Sequence, residues 1–350
     1  MVLLVVSIPS VQTYFGTYAT QQINQKFNTN IKVEKVGLQF NGDVELKNIL
    51  IKDHKNDSLI YIKELNSSIL SFANINENKL IFGGIDIYGL FFHIKTYSGE
   101  QASNLDIFTG KFKKTKETSS LFKLSATNLR VRDSYFKLTD ENKTVQEILD
   151  FQKLYINADD FLILGPDVQT QINALRFKDA RGVEMQNLET QFKYTPNAMF
   201  FEHLKIATNG SYLDGNLVFS YNREDLKMFA DKVQLKANFK DSRIDLGELN
   251  VFYPEFGNAK TVIFNSELTG TINALSALNL DLKSNGGTKI KGDFNFKNLK
   301  TSEFQPFEMT AKLNQLSSSY KDLKGILPRI LGENLPPSLE FLGTFSATGL

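Results

Sequence analysis

Residues 28–69 read NTNIKVEKVGLQFNGDVELKNILIKDHKNDSLIYIKELNSSI, and this stretch decides the fold class. Apolar and polar residues alternate in it with a period of mostly two, which is typical of strands with one buried face. The runs Asn41-Gly42-Asp43 and Asp53–Ser58 interrupt the alternation with residues that favour turns. We therefore predict three strands joined by two turns. The apolar side chains expected to face an interior include Ile31, Val33, Leu46 and Ile62.

Strand-like segments of roughly ten residues, separated by turn signals, continue along the chain, and this layout is typical of solenoids and extended grooves. The clearest alternation, in residues 261–282, is interpreted as one long strand arm bent at Gly270. A turn at Asn285-Gly286-Gly287 and a second arm follow. Ile263, Leu275 and Ala277 interrupt the even register. The even-numbered apolar residues predicted to share one face, and to line any groove, are Val262, Phe264, Leu268, Ile272, Ala274, Leu278, Leu280, Leu282, Ile290, Phe294 and Phe296.

Helices are expected at four places. Apolar residues recur at three- and four-residue spacing between Val11 and Phe27, which predicts an amphipathic helix. The other helical candidates are residues 144–154, 246–256 and 320–331, and the last is expected to kink or stop before Pro328. Residues 97–120 are polar and are interpreted as a loop. Lys79–Thr96 is interpreted as a strand pair or one long strand bent by its glycines.

The ends of the chain suggest a piece of a longer protein. The first residues are apolar and uncharged, but far fewer than the about 20 that span a bilayer. We interpret them as the remainder of a membrane anchor; a short buried helix is the alternative. The anchor residues are Val2, Leu3, Leu4, Val5, Val6 and Ile8. Residues 339–350 stop within a strand pattern. We predict an anchor and amphipathic helix in residues 1–27 and an elongated β-domain in residues 28–350 that continues beyond them.

Composition argues against several classes of function. Lysine plus arginine (40) and aspartate plus glutamate (39) nearly balance, without the basic excess of a nucleic-acid-binding domain. The chain has no cysteine, which excludes disulfides and thiolate sites. His54, His93 and His203 lack the spacing of metal ligands. Asp159 and Asp160 are adjacent, so in a strand they point to opposite faces rather than forming an acid–base pair. We expect no enzyme activity, no cofactor or metal, and no nucleic-acid partner.

The order of motifs resembles a known family. The anchor-like leader precedes a strand that ends at the turn Phe40-Asn41-Gly42 and then a characteristic strand pair. The matching positions of that pair are Val44, Leu46, Asn48, Ile51, Asp53, Asp57, Ser58, Leu59, Ile60 and Leu65. Residues Leu188–Tyr221 also fit the pattern. The chain is similar to the AsmA-like superfamily, and within it to TamB-like translocation and assembly module proteins of the Bacteroidetes type.

This resemblance implies a mainly β fold, in which a long, curled, antiparallel-rich sheet forms a U-shaped groove with an amino-terminal helix and a few short helices. It implies a periplasmic protein anchored in the inner membrane that supports phospholipid transport and outer-membrane protein assembly. The implied partners are phospholipid acyl chains, the inner membrane through the amino terminus, and an outer-membrane protein of the Omp85 type through a carboxy-terminal region absent from this sequence. No single functional residue is transferred, because the family's function lies in a continuous lining.

Alternation alone does not distinguish an open groove from a closed core. The leading hypothesis is a non-enzymatic lipid conduit or scaffold. The alternative is a structural or adhesive β-solenoid with a filled interior. A carbohydrate-active β-helix enzyme is a third hypothesis, but it needs carboxylates clustered on one exposed face, and the sequence does not show them.

Overall fold

The structure, a computed structural model, describes residues 17–18, 20–25, 27–38, 43–69, 79–111, 123–143, 147–299, 307–329, 331 and 335–349. The predicted anchor residues Val2, Leu3, Leu4, Val5, Val6 and Ile8 lie outside these ranges. So does the start of the predicted amphipathic helix, whose later residues 17–18, 20–25 and 27 are helical. Within the described part of the chain, no helix combines the length and apolar character needed to cross a bilayer.

The described residues form a mainly β structure, as the alternation predicted. The strands are β1 (Asn30–Leu38), β2 (Asp43–Lys52), β3 (Ser58–Ile69), β4 (Lys79–Thr96), β5 (Lys123–Asp140), β6 (Glu147–Leu164), β7 (Asp167–Asp179), β8 (Glu184–Thr195), β9 (Ala198–Thr208), β10 (Tyr212–Ser220), β11 (Gln234–Asp245), β12 (Thr261–Gly270), β13 (Ala274–Ser284), β14 (Lys289–Lys297), β15 (Glu308–Ser319) and β16 (Thr344–Gly349). They follow chain order in one sheet. The sheet is mostly antiparallel, and β4 and β5 pair in parallel.

Short helices join some of these strands. The α-helices are α1 (Asn104–Gly110), α2 (Phe229–Lys232), α3 (Leu246–Asn250) and α4 (Tyr320–Ile326), and 3₁₀ turns cover Arg223–Met228 and Pro337–Leu342. Helix α4 ends before Pro328, as predicted, since proline cannot donate a backbone hydrogen bond. Helix α1 lies in the stretch predicted to be a loop. Its signal was the pair Ser103 and Asp106, which form a reciprocal capping box.

The chain divides into two compact units, residues 1–184 and residues 185–350. In the first unit, Lys79–Thr96 is one strand of 18 residues, with Gly89 at a φ of 66°. The helix predicted at residues 144–154 is wrong where the structure describes it, because residues 147–164 form β6. Phe151 pairs there with Phe136 of β5. Shifts of register in β6, with Lys153 at a φ of 53°, disturb the period of two and gave the apolar residues mixed spacing.

The long arm predicted over residues 261–282 is also wrong, because the chain reverses after Gly270. Gly270 has a φ of 113°. The Thr271 amide donates to the Ala274 carbonyl at 3.0 Å, and the Ala274 amide donates to Thr271 Oγ1 at 3.0 Å. Residues 271–273 thus form a turn between β12 and β13. Gly270 was predicted to be a bend within one strand because apolar residues continue at even-numbered positions beyond it.

Three strands of the second unit carry a bulge at a constant interval of sequence. His203 in β9, Asp241 in β11 and Asn279 in β13 have φ values of 52°, 44° and 51°, and the interval between successive bulges is 38 residues, from 203 to 241 to 279. Their amides donate to side chains of the next strand: Asn216 Oδ1 at 2.9 Å, Asn265 Oδ1 at 2.6 Å and Asp293 Oδ1 at 2.8 Å, respectively. Because a bulge bends its strand and increases twist, the series gives this unit a regular source of curvature.

Candidate functional site

One face of the second unit is apolar across eight neighbouring strands. Residues that pair across antiparallel strands lie on the same face, so the pairings define continuous rows. One row, called here the apolar row, runs from β8 to β15 without a polar residue. Its members are Phe192, Phe201, Leu217, Ala237, Leu268, Ala277, Phe294 and Ala311. With strands about 4.8 Å apart, the row is about 34 Å long.

The adjacent row, one residue along each strand, faces the other way and is largely polar. Its members are Lys193, Phe200, Val218, Lys236, Thr269, Ser276, Asn295 and Thr310. Ser276 Oγ donates to Asn295 Oδ1 at 2.7 Å, and on the same side Lys291 pairs with Asp281 at 3.0 Å. The sheet of this unit therefore has one apolar and one mainly polar face.

On the apolar face, side chains pack against neighbouring side chains of the same sheet. Leu204, Ala237, Phe239 and Phe264 are buried at its centre. The larger side chains around them, such as Phe201, Leu217 and Leu268, stay half-buried. The described residues thus leave part of the apolar surface uncovered.

Eight of the eleven residues predicted to share a face do so. They are Val262, Phe264, Leu268, Leu280, Leu282, Ile290, Phe294 and Phe296. The other three predictions are wrong. Ile272 lies in the turn between β12 and β13, while Ala274 pairs with Lys297 and Leu278 with Glu267 on the polar face.

The physical reason is a double change of parity. The turn after Gly270 transfers the apolar face to odd positions, Leu275 and Ala277. The bulge at Asn279 then returns it to even positions, Leu280 and Leu282. The two odd-numbered residues looked like interruptions in the sequence, and they were the signal that could have found the change.

The first unit also carries an apolar row. Ile31 pairs with Ile51, Ile51 with Ile60, and Ile60 with Phe92. The rings of Phe92, Phe136, Phe151 and Phe177 continue it, with successive centroids 5.6, 5.7 and 3.9 Å apart. Val33 and Ile62 both pair with Ile49. Leu46 lies in a separate row with Val36 and Leu65.

Several titratable groups of the first unit meet at the turn between β2 and β3, beside α1. Asp53 is buried and accepts hydrogen bonds from Tyr97 Oη at 2.6 Å and Asn104 Nδ2 at 3.1 Å. Burial alone raises the pKa of Asp53, but these bonds outweigh it and lower the pKa below its usual value. Burial and the carboxylates of Asp53 and Asp57 raise the pKa of Tyr97. The arrangement satisfies its own charges and ties three segments together.

Chemistry elsewhere is sparse. His54 Nε2 lies 2.8 Å from Glu100 Oε2, and His93 Nε2 lies 3.0 Å from Thr139 Oγ1. Burial, then Lys137 and Lys95, lowers the pKa of His93. His203 occupies a bulge. Across the described ranges, no group of three His, Asp or Glu residues is placed to hold a metal ion. Asp159 accepts a hydrogen bond from Asn173 at 2.6 Å.

Comparisons with known proteins give no identity: no protein-family model, curated protein or solved structure matches the chain. The apolar face of the second unit is therefore the candidate site on its geometry alone.

Proposed function

We propose that the chain is a non-enzymatic phospholipid conduit or scaffold of the TamB-like class, and that its apolar face shelters acyl chains. The observation that carries the proposal is the apolar row, which crosses eight strands without a polar residue. Half-buried side chains flank it, so apolar surface remains for a ligand. Isolated exposed apolar residues are common, whereas a continuous apolar surface marks a binding region.

The energetics of lipid transfer fit such a surface. Each CH₂ group exposed to water costs about 0.8 kcal/mol, so unaided passage of a phospholipid between membranes is prohibitive. An apolar face lowers that barrier by contact and needs no reacting group. The apolar row is about 34 Å long. This is close to the thickness of a bilayer core, about 30 Å, and so about twice the depth of one leaflet of that core. An extended acyl chain therefore has room along it.

In this proposal the sheet curls into a U-shaped groove. The bulges at His203, Asp241 and Asn279 support the curl, because each bends its strand. The proposed setting is the periplasm, with the amino terminus anchored in the inner membrane and an outer-membrane protein of the Omp85 type as partner. Phospholipid transport and assembly of outer-membrane proteins would then share one scaffold.

Two adjacent phenylalanines of β9 provide the test. Phe201 belongs to the apolar row, whereas Phe200 points to the polar face, and both are half-buried. A photo-crosslinking phenylalanine analogue is placed at either position, and the purified chain is irradiated with vesicles of phosphatidylethanolamine and phosphatidylglycerol. Mass spectrometry then counts phospholipid adducts. We expect at least ten-fold more adduct at Phe201 than at Phe200.

Equal labelling at the two positions would show that the apolar face is not the lipid site. No adduct at either position would favour the alternative, a structural or adhesive β-solenoid, because a filled interior admits no acyl chain. Far-UV circular dichroism of both variants checks that the sheet is intact, so that loss of labelling is not mistaken for unfolding.

A further inference from the structure

One end of the apolar face is crossed by two short segments of the second unit, residues 246–257 and residues 320–327. Together they are called the strap. Their side chains form an apolar cluster with the sheet, in which Leu246, Val262 and Ile326 are buried. Ile244 and Leu282 of the sheet pack against the same cluster. The strap thus covers the ends of β11, β12 and β13 on the apolar side.

A carboxylate anchors the first half of the strap to the β9–β10 turn. Glu248 of α3 accepts hydrogen bonds from the Gly210 amide at 2.8 Å and from the hydroxyls of Thr208 and Ser211. The β9–β10 turn lies close to the start of α3, since a Cβ at Gly210 would lie 2.6 Å from Asp245 Cβ. Helix α3 is therefore held to the strand connection beside it.

A second carboxylate anchors the other half to the β13–β14 turn. Asp322 of α4 is 2% exposed. It accepts from Lys260 Nζ at 2.5 Å, from the Thr288 amide at 3.0 Å, and from the hydroxyls of Ser284 and Thr288. Gly286 sits against it, because a Cβ there would lie 1.5 Å from Asp322 Oδ1.

The two halves of the strap also touch each other. The Gly257 amide donates to the Ile326 carbonyl at 2.9 Å. A Cβ at Gly257 would lie 1.8 Å from the Gly325 carbonyl oxygen, so only glycine allows this approach. The strap is consequently continuous from the β9–β10 turn to the β13–β14 turn.

We propose that the strap is a fixed lateral closure of the apolar face: between these two turns it blocks passage of an acyl chain over the strand ends. This inference rests on the proposed lipid-binding function. The buried carboxylate of Asp322, the half-buried carboxylate of Glu248 and a buried apolar cluster hold the strap in place, so it retains cargo rather than opening for it. Acyl chains must enter and leave at other parts of the face.

The chain has no cysteine, so single thiols report access without background. Val262→Cys places a thiol beneath the strap, and Leu217→Cys places one on the same face away from it. Each is made in the otherwise unchanged chain and in a strap-released background, Glu248→Gln with Asp322→Asn. The rate of reaction with N-ethylmaleimide is measured with and without phosphatidylethanolamine vesicles.

In the unchanged chain we expect Val262→Cys to react at least ten-fold more slowly than Leu217→Cys. Release should raise the rate at position 262 at least ten-fold and the rate at position 217 less than two-fold. Vesicles should then protect both thiols in the released chain, but only position 217 in the unchanged one. An unaltered rate at position 262 after release would overturn the closure.

The two proposals fail differently. If vesicles never slow the reaction at position 217, the lipid-binding function is wrong, whatever the strap does. If the double substitution unfolds the unit, both rates rise together, and Phe256→Ala decides the matter. Phe256 packs in the strap cluster, and it takes no part in the hydrogen bonds described above for Glu248 and Asp322. With it we expect a selective rise of about three-fold at position 262, and an unchanged rate there counts against the closure.

Discussion

The two units each contain a buried carboxylate that ties distant segments together, but they surround it differently. Asp53 of the first unit is 5% exposed and Asp322 of the second is 2% exposed. In the part of the chain that the structure describes, the donors to Asp53 are neutral: the Tyr97 hydroxyl, the Asn104 amide and the backbone amides of Lys55 and Asp57. Asp322 has a cation, Lys260, among its donors.

The wider surroundings of the two carboxylates differ in the opposite sense, since charged residues lie around Asp53 and apolar residues lie around Asp322. Around Asp53 the first unit gathers further ion pairs, with Lys95 at 2.8 Å from Glu141 and Glu100 at 2.9 Å from Lys55. Around Asp322 the second unit places hydroxyls and the apolar strap. The first unit thus has a polar network around its buried carboxylate, and the second unit has apolar cover around its own. A buried carboxylate can therefore hold either a polar network or an apolar cluster in place.

The largest expected effect is at the anchor of the apolar cover. Asp322→Ala removes the carboxylate that accepts from the Thr288 amide and from the hydroxyls of Ser284 and Thr288, and it leaves Lys260 without its counter-charge. We expect a loss of about 3 kcal/mol in the free energy of unfolding of the second unit. Denaturant unfolding followed by circular dichroism measures it.

Asp281→Ala is the matched control, because it breaks an exposed ion pair with Lys291 in the same unit. Such pairs contribute up to about 1 kcal/mol. If the two substitutions destabilised the protein equally, the special role of Asp322 would be refuted.

Acid should release the same anchor. Burial raises the pKa of Asp322, but the bonds from Lys260, Ser284 and Thr288 outweigh it and hold the pKa at about 2. In the unfolded chain the pKa of an aspartate is about 4. Above that pH, the lower pKa in the folded protein stabilises the fold by about 2 kcal/mol, and this contribution is lost as the pH falls from 4 to 2. The protection of the Thr288 amide against hydrogen exchange, taken relative to the intrinsic exchange rate at each pH, should fall over this range.

Asp322→Asn should abolish that step at Thr288. The Asp57 amide, which donates to Asp53 in the first unit, serves as an internal reference that the substitution leaves unchanged. Persistence of the full step in the Asn variant would assign it to another group.

The smallest effect is expected in the polar network of the first unit. Tyr97 Oη donates to Asp53 at 2.6 Å and lies 2.8 Å from Asp57 Oδ2. Tyr97→Phe removes this donor, but three others remain on Asp53, so we expect a loss of about 1 kcal/mol. Thermal unfolding compared with Tyr88→Phe, whose ring lies under Lys63, isolates the contribution of the Tyr97 hydroxyl. A loss as large as that of Asp322→Ala would contradict the comparison.

Much of the fold follows from local patterns in the sequence. Period-two alternation predicted the strands of residues 28–69, and the glycine turn at 285–287 predicted the β13–β14 hairpin, since these signals act within a few residues. Helix α1 was missed although its capping pair was present. The predicted helix at 144–154 failed because a bulge imitates a change of period.

The apolar face was predicted only in part, for a related reason. Even-numbered residues such as Phe264 and Leu282 were assigned correctly, but Ala274 and Leu278 were placed on the wrong face. A turn and a bulge each change parity by one, and their effects cancel further along the chain. In the sequence this change shows as the two odd-numbered apolar residues Leu275 and Ala277, because the bulge at Asn279 returns the apolar face to even positions.

By itself, then, the sequence determined the β class, most turns and the two-faced character of the strands, because alternation and turn chemistry are local. Only the tertiary structure decided which strands pair, that the apolar row is unbroken from Phe192 to Ala311, and that Asp322 meets Lys260 across 62 residues of chain. Those contacts depend on register and on bulges, and a register is fixed by partners far away in sequence. The strap has the same origin, since its two halves are separated by β12–β15.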